Sequence, residues 1–94
     1  MRINLIGLGK MGYNLALNLK DHGHQVYGFD LNEKARLILQ EQGIHTCKDL
    51  ESLSQRKENE KLIFMLLVPY QIVDTVIEQL TPFLHKEDII IDAG

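Results

Sequence analysis

The chain has few of the residues on which disulfide-bonded or metal-binding proteins depend. Its 94 residues include one cysteine, Cys47, and two prolines, and tryptophan is absent. A single cysteine excludes an internal disulfide and favours a reducing compartment, so a cytoplasmic protein is expected. The four histidines have no cysteine or glutamate at ligand spacing, so no metal site is expected. Cys47 belongs to no nucleophile motif and is interpreted as a structural thiol.

Charge and hydropathy also narrow the choice of partner. The net charge is −3 and the isoelectric point is about 5.7, which argues against a nucleic-acid surface. The longest apolar run, residues 62–68, is too short to cross a bilayer, and no signal-peptide pattern follows Met1. The expected partner is therefore a small molecule, bound by one domain over residues 1–94.

Short apolar runs alternate with stretches of helical periodicity along the whole chain. Strands are predicted at residues 3–6, Gln25–Phe29, 44–46, 62–68 and 89–91. Two long helices are predicted between the first three strands. The inner face of the first is formed by Gly12, Leu15, Ala16 and Leu19. Asn32 is the predicted N-cap of the second, whose inner face is formed by Ala35, Ile38 and Leu39. A short helix is predicted at 49–53 and a charged surface turn at 55–61. The last helix has Ile72, Val73, Val76, Ile77 and Leu80 on one face and is closed by Pro82.

Strands that alternate with helices need crossover connections, which produce a parallel sheet. The runs at 62–68 and 89–91 are continuously apolar, as is typical of strands buried on both faces. The predicted fold class is therefore α/β, a Rossmann-like parallel sheet with helices on both faces, truncated after about five strands.

A GxGxxG pattern, Gly7-Leu8-Gly9-Lys10-Met11-Gly12, lies between the first strand and the first helix, and Asp30 follows the second strand. This is the context of the dinucleotide fingerprint, and it argues against glycines that only form turns. Gly7 permits the sharp turn, Gly9 lets the backbone approach a pyrophosphate, and Gly12 lets the helix pack closely. The helix N-terminus then offers N–H groups to the phosphates.

Asp30 bears on the choice of cofactor. Its carboxylate can accept hydrogen bonds from the adenosine ribose hydroxyls and would repel a 2′-phosphate. The nearest downstream arginine, Arg36, lies about one turn into the following helix. The cofactor is therefore predicted to be NAD, with NADP the less favoured alternative.

The candidate cofactor-binding residues come from the glycine pattern, the end of the second strand and the end of the fourth. They are Gly7, Leu8, Gly9, Lys10, Met11, Gly12, Asp30, Leu31, Asn32, Leu67, Val68 and Pro69. Three of them have a second interpretation. Lys10 either reaches a phosphate or faces solvent, Met11 either faces the nicotinamide or packs, and Pro69 either lines the nicotinamide pocket or only starts a helix.

The sequence resembles the N-terminus of 6-phosphogluconate dehydrogenases, particularly the NAD-preferring bacterial type. The resemblance rests on residues 7–18, which read Gly-Leu-Gly-x-Met-Gly-x-Asn-Leu-Ala-Leu-Asn, and on segments at 68–69, 72–74, 80–82 and 88–92. The wider group of 3-hydroxyisobutyrate and related β-hydroxyacid dehydrogenases shares only Gly-x-Gly-x-Met-Gly. The stretch at 14–18 favours the phosphogluconate branch.

The resemblance implies a cofactor domain for oxidative decarboxylation of 6-phosphogluconate to ribulose 5-phosphate, with hydride transfer to NAD(P). The family's catalytic lysine and glutamate and its sugar-phosphate ligands would lie beyond Gly94, in the rest of the sheet and in a large helical domain that also makes the dimer. No catalytic residue is therefore assigned here, and the chain alone is expected to be inactive. Two departures, Tyr70-Gln71 where the family has one more residue and Ala93 for a glycine before Gly94, lie on the nicotinamide side.

Two alternatives remain open at this point. The first is the cofactor domain of a 3-hydroxyisobutyrate-type β-hydroxyacid dehydrogenase. The second is a non-catalytic NAD-binding module or a gene remnant.

Overall fold

Five strands and four α-helices alternate along the chain in the computed structural model, which describes residues 2–93. The strands are β1 (Arg2–Ile6), β2 (Gln25–Phe29), β3 (His45–Cys47), β4 (Leu62–Leu66) and β5 (Ile89–Asp92). The helices are α1 (Lys10–Asp21), α2 (Glu33–Glu41), α3 (Leu50–Ser54) and α4 (Tyr70–Leu80), followed by a 3-10 turn at Thr81–Phe83. Within the described residues no helix is long and apolar enough to cross a membrane.

All five strands run parallel in one sheet, in the order β3-β2-β1-β4-β5. In the central pairings Arg2 lies opposite Gln25 of β2 and Leu62 of β4. The strand order reverses between β1 and β4. Strands β2 and β3 lie on one side of β1, and the chain then crosses to the other side of β1, where β4 and β5 lie. Ligands of open α/β sheets bind at such a switch point, at the carboxyl ends of the strands.

Each face of the sheet is covered by its own hydrophobic cluster. One cluster joins α1 and α2 to the sheet through the buried side chains of Leu5, Ala16 and Leu39. The other joins α3 and α4 through Leu53, Phe64 and others. The predicted α/β fold with helices on both faces is confirmed.

Details of the predicted burial and element ends are corrected by the structure. Ile38 was predicted on an inner helix face, but it is half exposed because α2 packs mainly against the edge strand β3. Ile89 and Ile91 were predicted to be buried on both faces, yet β5 is a sheet edge and both side chains are 40% or more exposed. The fourth strand ends at Leu66 instead of Val68, and α4 ends at Leu80 before the 3-10 turn that contains Pro82.

A buried ion pair links the amino-terminal ends of β4 and β5, on the side of the sheet away from the switch point. Arg56 donates to the Asp88 carboxylate, and these side chains are only 4% and 2% exposed. The same carboxylate accepts from the backbone N–H groups of Leu62 and His85. The pair therefore ties the loop before β4 to the loop before β5.

Candidate cofactor site

The cofactor loop, residues 7–12, leaves β1 at the switch point and becomes the first turn of α1. Gly7 has φ +100°, a conformation that only glycine adopts without strain, and its N–H donates to the Phe29 carbonyl at 2.9 Å. Gly9 is the N-cap of α1, and no side chain caps this helix. The first-turn N–H groups are therefore left for water or an anionic ligand.

The three glycines of the loop meet different surroundings. A Cβ on Gly12 would clash with the Gly7 carbonyl oxygen, and one on Gly7 would lie 2.7 Å from the Leu67 carbonyl oxygen. A Cβ on Gly9 would meet no non-neighbouring heavy atom of residues 2–93 within 4 Å. Packing thus requires glycine at positions 7 and 12, whereas the space above Gly9 is open to a ligand.

Asp30 links the loop to the end of β2. One carboxylate oxygen accepts from the Leu8 N–H at 2.8 Å, and the other accepts from the Asn32 N–H at 2.8 Å. Each oxygen retains a second lone pair, so the side chain can still accept hydrogen bonds from ribose hydroxyls. Asp30 therefore positions the loop as well as facing the cleft.

The Arg36 side chain is held against the turn that follows β2. Its Nη1 donates to the backbone carbonyls of Asp30, at 2.7 Å, and Leu31, at 3.2 Å. These bonds hold the turn between β2 and α2, which the Asn32 side chain also caps through the Lys34 N–H. Leu31, at the tip of this turn, is 85% exposed and presents an apolar side chain beside Asp30.

An apolar cleft of about 400 Å³ opens at the switch point. This volume is within the range of small-molecule sites, roughly 300–1,000 Å³. Seven of the twelve sequence-predicted residues line it, namely Gly7, Gly9, Asp30, Leu31, Leu67, Val68 and Pro69. The structure therefore brings the glycine pattern, the acid and the end of β4 together around one space.

The other five predicted residues lie outside the cleft. Leu8 is buried beneath the loop, against Gly28. Gly12 is buried in the first turn of α1, against the Gly7 carbonyl. Lys10 and Asn32 line a separate groove between the starts of α1 and α2, and Met11 is 64% exposed at the start of α1. Leu8 thus contributes a backbone N–H to Asp30, and its side chain does not line the cleft.

Sequence reasoning missed much of the far wall of the cleft. The additional lining residues are Ile6, Phe29, Leu50, Ile72, Val76 and Gln79. Ile72 and Val76 were interpreted as part of a helix face, but Ile72 is 45% exposed. The spacing of 72, 76 and 79 directly after the end of β4 was the available signal, because it places one stripe of α4 beside the switch point.

Cys47 and the histidines add no second chemical centre. The Cys47 side chain is buried, and this burial raises the pKa of its thiol, an effect that Arg2 partly offsets. A protonated thiol is a poor nucleophile. Among residues 2–93, no three His, Cys, Asp or Glu side chains come together as a metal site.

The family model of the NAD-binding domain of 6-phosphogluconate dehydrogenase matches residues 2–94. The chain belongs to this family. Gly94, the last residue of the match, lies outside the residues that the structure describes, as does its predicted place on the nicotinamide side.

Relatives of known name agree with this assignment. The NAD(+)-dependent, decarboxylating 6-phosphogluconate dehydrogenase of Bacillus subtilis is 36% identical over 98% of the chain and 20% of its own length. The enzyme of that name from Haloferax volcanii is 30% identical over the whole chain and 31% of its own length. The chain thus spans between a fifth and a third of the relatives it matches.

A solved structure supports the fold. Arogenate dehydrogenase of Synechocystis superposes with a TM-score of 0.79 and 26% identity, covering all of this chain and 33% of that protein. The match confirms a Rossmann-like domain of the dehydrogenase type.

Proposed function

We propose that the chain binds NAD in the apolar cleft as the cofactor domain of a 6-phosphogluconate dehydrogenase. The observation that carries this proposal is the open space above Gly9, between an uncapped helix N-terminus and the Asp30 carboxylate. The N–H groups of the first turn of α1 would hold the pyrophosphate, and Asp30 would hold the adenosine ribose. The two ligand-binding groups thus match the pyrophosphate and the adenosine ribose of the cofactor.

The choice of NAD over NADP rests on Asp30 and Leu31. A 2′-phosphate on the adenosine ribose would meet a carboxylate and an apolar side chain, while Arg36 is engaged with backbone carbonyls. The names of the two relatives, which specify NAD(+) dependence, support the same choice.

The proposed reaction of the full-length protein is the oxidative decarboxylation named in its relatives. When bound, NAD supplies the acceptor for the hydride. Residues of this chain hold and orient the cofactor, and Pro69 and Val68 would form the wall beside its nicotinamide. We also propose cytoplasmic location and oligomerisation of the parent enzyme through its helical domain.

Calorimetric titration of the folded 94-residue chain with NADH tests the binding proposal. Saturable heat with one site per chain is expected, and a folded chain that gives no heat would contradict cofactor binding. An assay with 6-phosphogluconate and NAD should give no NADH, because Asp30 is the only titratable side chain among residues 2–93 that lines the cleft, and two backbone N–H groups already engage it. Turnover by the chain alone would show that it contains a base we have not assigned.

A further inference from the structure

Among residues 2–93, two polar side chains line the cleft, and they lie on different elements. Asp30 follows β2, and Gln79 lies in the last turns of α4. Every other lining residue is apolar or glycine. Asp30 is accounted for by the ribose in the proposed function, on which this inference rests, whereas Gln79 has no role there.

Helix α4 presents Ile72, Val76 and Gln79 to the cleft as one stripe, at spacings of four and three residues. The stripe covers two turns, about 10 Å along the helix axis. Its first two positions are apolar, and the third carries a side-chain amide. Among residues 2–93 no hydrogen bond engages that amide.

The position of this stripe relative to Asp30 points to the base of the cofactor. With the pyrophosphate on the loop and the ribose on Asp30, the adenine would extend away from the loop toward Leu31 and Leu50, which line the same cleft. Leu50 begins α3 and lies in the same cleft as Val76 and Gln79. The flat faces of the purine would then contact leucine and valine side chains, and its polar edge would reach the amide.

A glutamine amide is chemically suited to that edge. It can accept from the N6 amino group and donate to N7, the pairing by which Asn and Gln recognise adenine in nucleic acids. Hypoxanthine, with a carbonyl at position 6, offers two acceptors on the same edge and cannot form this pair. We propose that Gln79 is a specificity-determining residue that recognises the adenine N6/N7 edge of the cofactor.

Titration with NADH and with reduced nicotinamide hypoxanthine dinucleotide tests the inference. The wild-type chain should bind NADH about fivefold to tenfold more tightly than the hypoxanthine analogue. Gln79→Leu should weaken NADH binding by a similar factor, leave analogue binding within about twofold, and so abolish the preference. Gln79 is exposed, so the variant is expected to fold, and its circular dichroism spectrum and Tm check this.

Gln71→Leu is the matched control, because Gln71 is an exposed glutamine of the same helix that does not line the cleft. It should keep the wild-type preference. Tight NADH binding with a preference that Gln79→Leu does not change would overturn the inference alone. Absence of NADH binding by the folded wild-type chain would overturn the proposed function and the inference with it.

Discussion

The glycines of the cofactor loop are held under different constraints, and each constraint has its own experimental signature. Gly12 is limited by the Gly7 carbonyl oxygen, and Gly7 by both its positive φ and the Leu67 carbonyl oxygen. Gly9 has φ −64° and ψ −165°, which any residue can adopt, and open space above it. The fold therefore does not require glycine at position 9, whereas the proposed cofactor site does.

Alanine substitutions separate these two requirements. Gly9→Ala should cost less than about 1 kcal/mol of stability, as expected for a change at a helix N-cap, but should weaken NADH binding at least tenfold. Gly12→Ala should cost about 1–3 kcal/mol through overpacking. Urea unfolding and calorimetric titration measure the two effects. A Gly9→Ala variant with unchanged NADH affinity would contradict the placement of the pyrophosphate.

Leu31 provides a test of cofactor choice because its side chain is 85% exposed beside Asp30. The wild-type chain should bind NADH more tightly than NADPH, and Leu31→Arg should narrow that gap by about tenfold through a charged hydrogen bond to the 2′-phosphate. Leu37→Arg adds the same charge at an exposed position of α2 outside the cleft and should leave the ratio unchanged. Equal effects of the two variants would indicate nonspecific charge attraction.

At the scale of elements, the buried Arg56–Asp88 pair contributes to the stability of the domain against acid. Burial acts to raise the pKa of Asp88, but Arg56 and the His85 and Leu62 N–H groups hold it below the ordinary value of 3.8. A lowered folded-state pKa gives stability that is present above the unfolded value and is lost as the pH falls through the folded value. Asp49, which caps α3, also has a lowered pKa because it accepts from Ser52.

Removing the Asp88 charge should therefore lower the free energy of unfolding at neutral pH and change how that free energy depends on pH in acid. Asp88→Asn is expected to lose about 3 kcal/mol at pH 7, because Arg56 is left buried without its partner, and to lose less on acidification below pH 4 than the wild type. Glu87→Gln breaks the exposed pair with Lys61 and should cost less than about 1 kcal/mol. Urea unfolding at several pH values checks both, and equal losses would show that burial of the pair has no effect.

The elements themselves were largely predictable, and the exceptions have a common cause. The bounds predicted for β2 and the Asn32 cap of α2 match the structure, because strand propensity and capping are local properties. The exposure of Ile38, Ile89 and Ile91 depends on which elements lie at the sheet edge, and periodicity carries no information on strand order. The α4 wall of the cleft was missed for the same reason, since it depends on how α4 sits against Leu50.

At the scale of the whole molecule, ligand binding should raise the free energy of unfolding and therefore the Tm. Any ligand that binds only the folded state at 100 times its Kd adds about 2.7 kcal/mol. For a domain of 94 residues this corresponds to a rise in Tm of roughly 10–20 °C. Thermal unfolding with increasing NADH measures the shift, with Gly9→Ala as the control that should show about half of it or less at the same NADH concentration. A wild-type Tm that does not depend on NADH concentration would contradict binding to the folded state.

The position of β1 at the centre of the sheet also has a consequence for the order of folding. Its two neighbours are β2, whose residue Gln25 pairs with Arg2 across 23 positions of the chain, and β4, whose residue Leu62 pairs with Arg2 across 60 positions. Pairings between such distant segments form slowly, because a long loop must close before the contact is gained. The glycine loop leaves the ribosome early, but its cleft needs Val68 and α4. A nascent chain should therefore acquire NAD binding only after residues 62–80 have emerged. Until then the helices and strands already synthesised lack β4 and α4, and the site is incomplete.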